Sequence, residues 1–552
     1  MDVSKQQSRG TTDADRREDA LVEGFGYTVS YDRVFKSLGS MSLTLAMASP
    51  MLGVFVMNSL QIGYGGYFGM TWGWVIPAIL YFPWALGIAE LASAMPVNGG
   101  SYWWVAALAP PSLSRPLSFI TGVTNFMNAL TGMASFGWAI ANSLVALISI
   151  HTGWEATNAY TMGIAIALFF LWLAMTCMRM QDSNTLYITC ASVVLVTTVL
   201  FLVGLPVTHS LQHLPFTKAS QVFGIYSNFS DWQKPVALPY TFLAAAWVIT
   251  GWNASTAIAE ETHNARRVVP RSVITTYLTM SVMGFFVCLV LSFCMTDLEA
   301  AASDPSGYPA FTLIINHWGK NLGFAFLLIV LVNSMLGGAS VLFMVSCQTA
   351  AFARDGGLIF NDKLAKVWTY SNMPIYSSVL VTIGGVILLF LAMSPIASSI
   401  IYSLAFIAVM LMYALPMSFR VFHGGRWVPG PWNYGRFSIP IHVYSIISIL
   451  YITILECFPP MANWTGATFN YNWVVLIFAL FLSGILWMFK GRYTYKGVDQ
   501  QALDAWRAQE ALPSTSEDDI EGSNIVTQRT SPRGSSCTVE NRVHTVVKDL
   551  KN

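Results

Sequence analysis

The sequence predicts an all-α polytopic membrane protein, and three observations predict it. Of its 552 residues, 54% are hydrophobic and only 10% charged, where a soluble domain carries about 25% charged residues. Apolar windows of about 20 residues, the length that crosses a bilayer as a helix, recur about twelve times. Two of these windows are interrupted at mid-depth by proline, glycine or asparagine, about 200 residues apart. Unpaired backbone groups in hydrocarbon cost several kcal/mol each, so such a break survives only where protein or a water-filled cavity satisfies it. Two such breaks, each opening a comparable set of spans, indicate an inverted-repeat carrier with discontinuous first and sixth helices.

The elements follow in order. Residues 1–37 are polar and charged and lack the apolar stretch of a cleavable signal peptide, so they form a tail and the first span acts as its own signal. The membrane domain covers 38–495. Its first repeat, 38–208, holds spans near 40–64, 69–94, 117–149, 158–179 and 184–208. Its second, 236–419, holds spans near 236–260, 271–296, 322–352, 375–394 and 396–419, and two extra helices follow at 438–459 and 471–489. The third and eighth spans exceed what a bilayer requires, so they tilt. The longest internal loop, 209–235, joins the fifth span to the sixth. The tail 496–552 is rich in Ser, Thr, Asp and Glu and reads as mostly disordered, with a short helix around Leu503–Ala511. Its Ser, Thr and Lys residues suit phosphorylation or ubiquitin-directed turnover, and equally an inert solvated tail.

Lys and Arg set the orientation. With both termini in the cytoplasm, inner loops carry Arg115, Arg179, Arg266, Arg267, Arg271, Arg354, Lys363, Lys366, Arg420, Arg426 and Arg436. Outer loops carry Lys218, Lys234 and Lys320. The glycosylation sequons at Asn228 and Asn463 both fall outside, in agreement.

The first break is Ser49-Pro50-Met51-Leu52-Gly53. Pro50 removes an amide donor and Gly53 admits unusual backbone angles. Amides opening the outer half-helix can then face an anionic group, and carbonyls closing the inner half a cation; a plain proline kink is the bland alternative. In the sixth span Gly251 permits the break and Asn253 offers an uncharged donor and acceptor beside Ala254. Trp247, one turn earlier, is placed to close over a ligand, and Trp252 to stack on an ammonium group; lipid or helix packing would explain either ring as well. Glu260 and Glu261, followed by Arg266 and Arg267, most simply form an ion-pair network holding an inner gate. Glu90 is an intramembrane carboxylate, either proton-responsive or half of a gate pair. Asn125, Asn128 and Thr131 share a face of the third span and either line the cavity or bridge helices, and Asn333–Ser340 suits helix packing or an ion site.

Other classes find no support. The seven cysteines have neither disulfide nor zinc spacing, and no phosphate loop or serine elbow is present, so no enzyme, cofactor, metal or ATP-driven pump is expected. A net charge of +1 without a basic patch gives no footprint for nucleic acid.

A set of segments carries a family resemblance: Glu90-Leu-Ala-Ser-Ala-Met-Pro-Val-Asn-Gly-Gly-Ser-Tyr-Trp-Trp104, Leu108-Ala-Pro-Pro111, Gly251-Trp-Asn-Ala254, Glu260-Glu-Thr-His-Asn-Ala265 with Val269-Pro270, Phe352-Ala-Arg-Asp-Gly356, Pro429-Gly-Pro-Trp-Asn-Tyr-Gly435 and Phe458-Pro-Pro460. Over roughly 30–495 the chain resembles the amino acid–polyamine–organocation superfamily, and within it the fungal amino acid/choline transporter group with its GABA and choline permeases. The resemblance implies a five-plus-five inverted repeat plus two helices. It also implies proton-coupled uptake of a small amino acid or GABA-like amine across a fungal plasma membrane or an internal one such as the vacuole. By position it places substrate at Ser49–Gly53 and Gly251–Ala254, with Asn128 nearby and Trp247 as the aromatic gate. GABA-type relatives often carry Asp where this chain has Asn253, which disfavours polyamines most and leaves zwitterions or a quaternary amine such as choline. A nutrient receptor that signals without transport is the alternative of another class.

Overall fold

The computed structural model describes residues 12–155, 157–393, 395–466 and 469–510. The expected disordered tail beyond residue 510 lies outside them. The chain divides at Trp506, and of the second unit, Arg507–Asn552, only the end of one helix is described.

The described residues are mostly helical and contain no strand. In chain order the helices that matter are α1 (Asp13–Gly24), α2 (Ser37–Ala48), α3 (Pro50–Gly65) and α4 (Tyr67–Ala94). They continue with α5 (Ser101–Leu108), α6 (Pro111–Thr152), α7 (Asn158–Thr176), α8 (Met180–Leu211), α9 (Lys234–Tyr240), α10 (Phe242–Val248) and α11 (Ala265–Cys294). After these come α12 (Pro309–Trp318), α13 (Lys320–Arg354), α14 (Ile375–Leu389), α15 (Pro395–Val421), α16 (Ser438–Glu456), α17 (Asn472–Leu486) and α18 (Gln500–Glu510). Among the described residues ten helical stretches are long and apolar enough to cross a membrane, so this is a multi-pass membrane protein. The two further spans expected from the sequence are of other kinds. Residues 236–260 do not form one helix but α9, α10 and a 3₁₀ turn at Ala254–Ile258, and the tenth span corresponds to α15.

Both breaks have a local cause. Ser49 sits between α2 and α3 at φ 33°, in the left-handed region that L-residues resist. Pro50, at the first position of α3, has no amide to continue the ladder of α2. Downstream, α10 stops at Val248, and Gly251 takes φ 77°, a conformation open to glycine alone without strain.

The two breaks are packed against each other. A Cβ on Gly53 would come within 2.7 Å of a Val248 methyl, and one on Gly251 within 2.2 Å of the Met47 terminal methyl. The first and sixth helices thus touch at both breaks: Gly53 is held to glycine by the short, stiff Val248, whereas the Met47 methyl ends a flexible side chain and can yield, so Gly251 is held to glycine by its φ of 77°. Around them α6 packs on α13, α14 and α15, and α11 on α2 and α4.

Candidate substrate site

The helix breaks open onto a cavity of about 220 Å³. Ser49, Leu52 and Gly53 contribute from the first break, and Trp247, Gly251 and Asn253 from the second. Among the described residues its lining contains no Asp, Glu, Lys, Arg or His; the polar groups are Ser, Thr, Asn, Gln and Tyr. Fixed charge can be met there only by backbone dipoles at half-helix ends, amides opening α3 and carbonyls closing α2 and α10.

The expected site residues do not all come together. Asn128 lines the cavity, while Asn125 turns away and donates to the Ser101 hydroxyl of α5 at 2.6 Å. Asn333 likewise bridges helices, donating to the Cys190 carbonyl at 3.2 Å, and its neighbour Ser334 faces the cavity. Pro50, Met51 and Ala254 shape the breaks without lining the space. Trp247 lines it, its ring edge-on to Tyr402 with centroids 5.6 Å apart.

Trp252 corrects the reading from sequence. It is fully buried away from the cavity, stacked on Tyr413 at 4.9 Å and edge-on to Tyr277. The break turns the chain, so that the residue after Gly251 points into the helix packing and does not line the cavity. Tyr413 also donates its hydroxyl to Asn253 Oδ1 at 2.8 Å, which fixes the Asn253 amide within the wall.

The ion-pair network around Glu260 and Glu261 is built differently from the sequence expectation. Glu260 accepts both arms of the Arg354 guanidinium, at 2.9 Å each, so its partner lies 94 residues away rather than at the adjacent Arg266 or Arg267. Asn98 ties the two acids together: its backbone amide donates to Glu260 at 3.1 Å and its side-chain amide to both oxygens of Glu261. Glu90 belongs to neither. It accepts from Ser438 at 2.8 Å and lies 3.1 Å from His442 Nε2, in a separate buried cluster joined by Arg420 through Ser438.

The amino-terminal segment seals this face. Glu18 accepts the backbone amides of Ala265 and Arg266, both at 2.8 Å, and Asp15 that of Asn264 at 3.0 Å. Two carboxylates from α1 therefore cap α11, where its dipole favours negative charge. Burial raises the Asp15 carboxyl, but hydrogen bonds from His263, Thr12 and Asn264 prevail and hold it down at about 2. Arg33 closes the assembly, bonded to Glu18, Asp19 and the Thr262 carbonyl. Beside it, Asp355 accepts from Tyr27 and Tyr102, and burial pushes its carboxyl up to about 6 despite Arg354 and the two hydroxyls.

Residues that sequence reasoning missed include Tyr413, Gln348, Phe406, Asn98 and Arg354. Arg354 and Asn98 both lie in segments that carried the family resemblance, and only the fold reveals that they meet.

A profile of the amino acid permease family matches residues 37–480, from α2 into α17. The chain belongs to the amino acid permease family. Over 88% of its length, this permease is 29% identical to an uncharacterised amino-acid permease of Schizosaccharomyces pombe, covering 87% of that protein. It is 26% identical to amino-acid permease 2 of Neurospora crassa, over 89% of this chain and 91% of the other. To the GABA-specific permease of Saccharomyces cerevisiae it is 25% identical, over 86% and 85%.

Proposed function

We propose that this permease imports an amino acid or GABA-like zwitterion, coupled to protons, with its substrate held between the two helix breaks. The observation that carries this reading is a cavity without a single charged side chain among the described residues, bounded by half-helix ends of both polarities. A zwitterion's carboxylate then meets the α3 amides, and its ammonium the carbonyl ends and Asn253. A net cation such as a polyamine finds no counter-charge in the wall. Trp247 caps the site. The relative of Saccharomyces cerevisiae named for GABA supports the same substrate class. For choline, the burial of Trp252 in packing leaves Trp247 as the aromatic face.

The test is radiolabelled uptake in cells lacking their own permeases, comparing GABA, neutral amino acids, choline and putrescine across an imposed proton gradient. Gradient-dependent uptake of a zwitterion is expected. Choline-only uptake, or silence across the panel at verified surface level, would overturn the reading.

A further inference from the structure

At the face opposite the gate, two histidines meet. His209 is in the last turn of α8 and His317 in the last turn of α12, the short helix that leads into α13. Both are buried, and His209 Nδ1 lies 2.8 Å from His317 Nε2. Their remaining ring nitrogens face backbone carbonyls: His209 Nε2 lies 3.2 Å from the Pro215 oxygen and His317 Nδ1 2.8 Å from the Leu313 oxygen.

A carbonyl oxygen only accepts, so each outer contact needs a proton on the histidine. The central contact needs a third. Two neutral imidazoles carry one N–H each, one fewer than these three contacts require. In a neutral pair, one contact must set a ring lone pair against another lone pair at hydrogen-bond distance.

We propose that His209 and His317 together form a binding site for a single proton on the outer face, filled from the outside medium. The outer placement rests on the orientation read from the basic loops. The bound proton clasps the end of α8 to α12, and its loss breaks one of the three bonds.

The surroundings decide how many protons are held. Burial outweighs the Leu313 carbonyl and holds the His317 imidazole below its ordinary value, and charge on His209 lowers it further, so a second added proton is excluded. Two helix C-termini converge here, and each favours a cation in its last turn. One proton is therefore held, shared between the rings. The other titratable groups on the elements packed here are His213 and Lys218 in the segment after α8 and Lys320 at the start of α13, all exposed, with the buried Cys288 and Cys294 of α11, whose last turn Thr217 bonds. His151 contacts the Lys320 carbonyl, and α3 contributes only Tyr64. Phe216, stacked on His209, is uncharged, and Gln212 and Thr208 brace α12 by donating to the His317 carbonyl and accepting from Trp318. No carboxylate among the described residues is bonded to either ring.

The test is ¹⁵N NMR of the full-length chain labelled at its eight histidines, in lipid nanodiscs without substrate, titrated from about pH 7.5 to about pH 5. The expected result is one coupled pair showing three protonated nitrogens out of four at the acid end, with a through-bond N–H–N coupling. Both signatures should vanish in His317→Gln and again in His209→Gln, so misfolding of one variant leaves the other to assign the signal. A pair with two protons throughout, or a three-proton signal that survives both variants, overturns the proposal. Because no substrate is used, failure here leaves the transport reading standing, and failed uptake leaves the proton count standing.

Discussion

Gly53→Ala tests the contact between the two breaks. The added methyl would sit 2.7 Å and 3.3 Å from the two Val248 methyls, and 3.5 Å from its Cβ. The first distance is impossible without movement, and a β-branched valine has little rotamer freedom with which to yield. Overpacking of this kind costs about 1–3 kcal/mol, or about 5- to 150-fold in the population of the affected state. Truncating Val248 to Ala removes both offending methyls and leaves an ordinary contact. In that background Gly53→Ala should cost nothing further, giving a coupling energy of about 1–3 kcal/mol in the double-mutant cycle. The assay is thermal unfolding in nanodiscs beside uptake at matched surface level. Gly53→Ala behaving as wild type, or costs that simply add in the double variant, would refute the idea that the first and sixth helices bear on each other through this pair.

Arg354→Ala leaves Glu260 buried without its partner and should cost about 3–5 kcal/mol, read as lost surface expression; replacing both with Gln should fold better than replacing Arg354 alone. Tyr413→Phe removes the hydroxyl that Asn253 Oδ1 accepts, at a cost of about 1–3 kcal/mol, and should lower thermal stability and apparent substrate affinity together. Asp355 holds its proton up to about pH 6 in the folded chain against an ordinary value of 3.8, so the folded state binds more protons than the unfolded state between these values. Stability should therefore fall as pH rises from about 4 to about 6 and level off above, and Asp355→Asn should flatten that slope in a pH series of melting curves. Glu18→Gln weakens the cap on α11 by about 0.5–2 kcal/mol, detectable as faster hydrogen exchange at Ala265 and Arg266.

The spans were legible because bilayer length and apolar composition leave little freedom. The breaks were legible because proline and glycine act on the backbone locally, whatever surrounds them. What lay beyond reading was the direction of side chains once the helix stops. For Trp252 the sequence leaves a ligand-facing ring and helix packing equally open, and a single glycine at φ 77° turns it into the core. The gate was misread for another reason. Ion pairs are chosen by which helix ends converge, so Glu260 reaches past Arg266 and Arg267 to Arg354. The buried polar group of Glu90 with Ser438 and His442 was hidden in the same way, since its members are some 350 residues apart.

The carboxylates of α1 bear on how this permease should be handled. Deleting residues 1–24, a common step when trimming a flexible end or fusing a reporter, strips the backbone donors of Asn264, Ala265 and Arg266 of their acceptors. It also leaves Arg33 without Glu18 and Asp19. Such a shortened protein lacks the cap on α11 and the partners of Arg33, and its kinetics describe an altered structure. Fluorescent or affinity labels belong ahead of Met1, with Thr12 onward left intact.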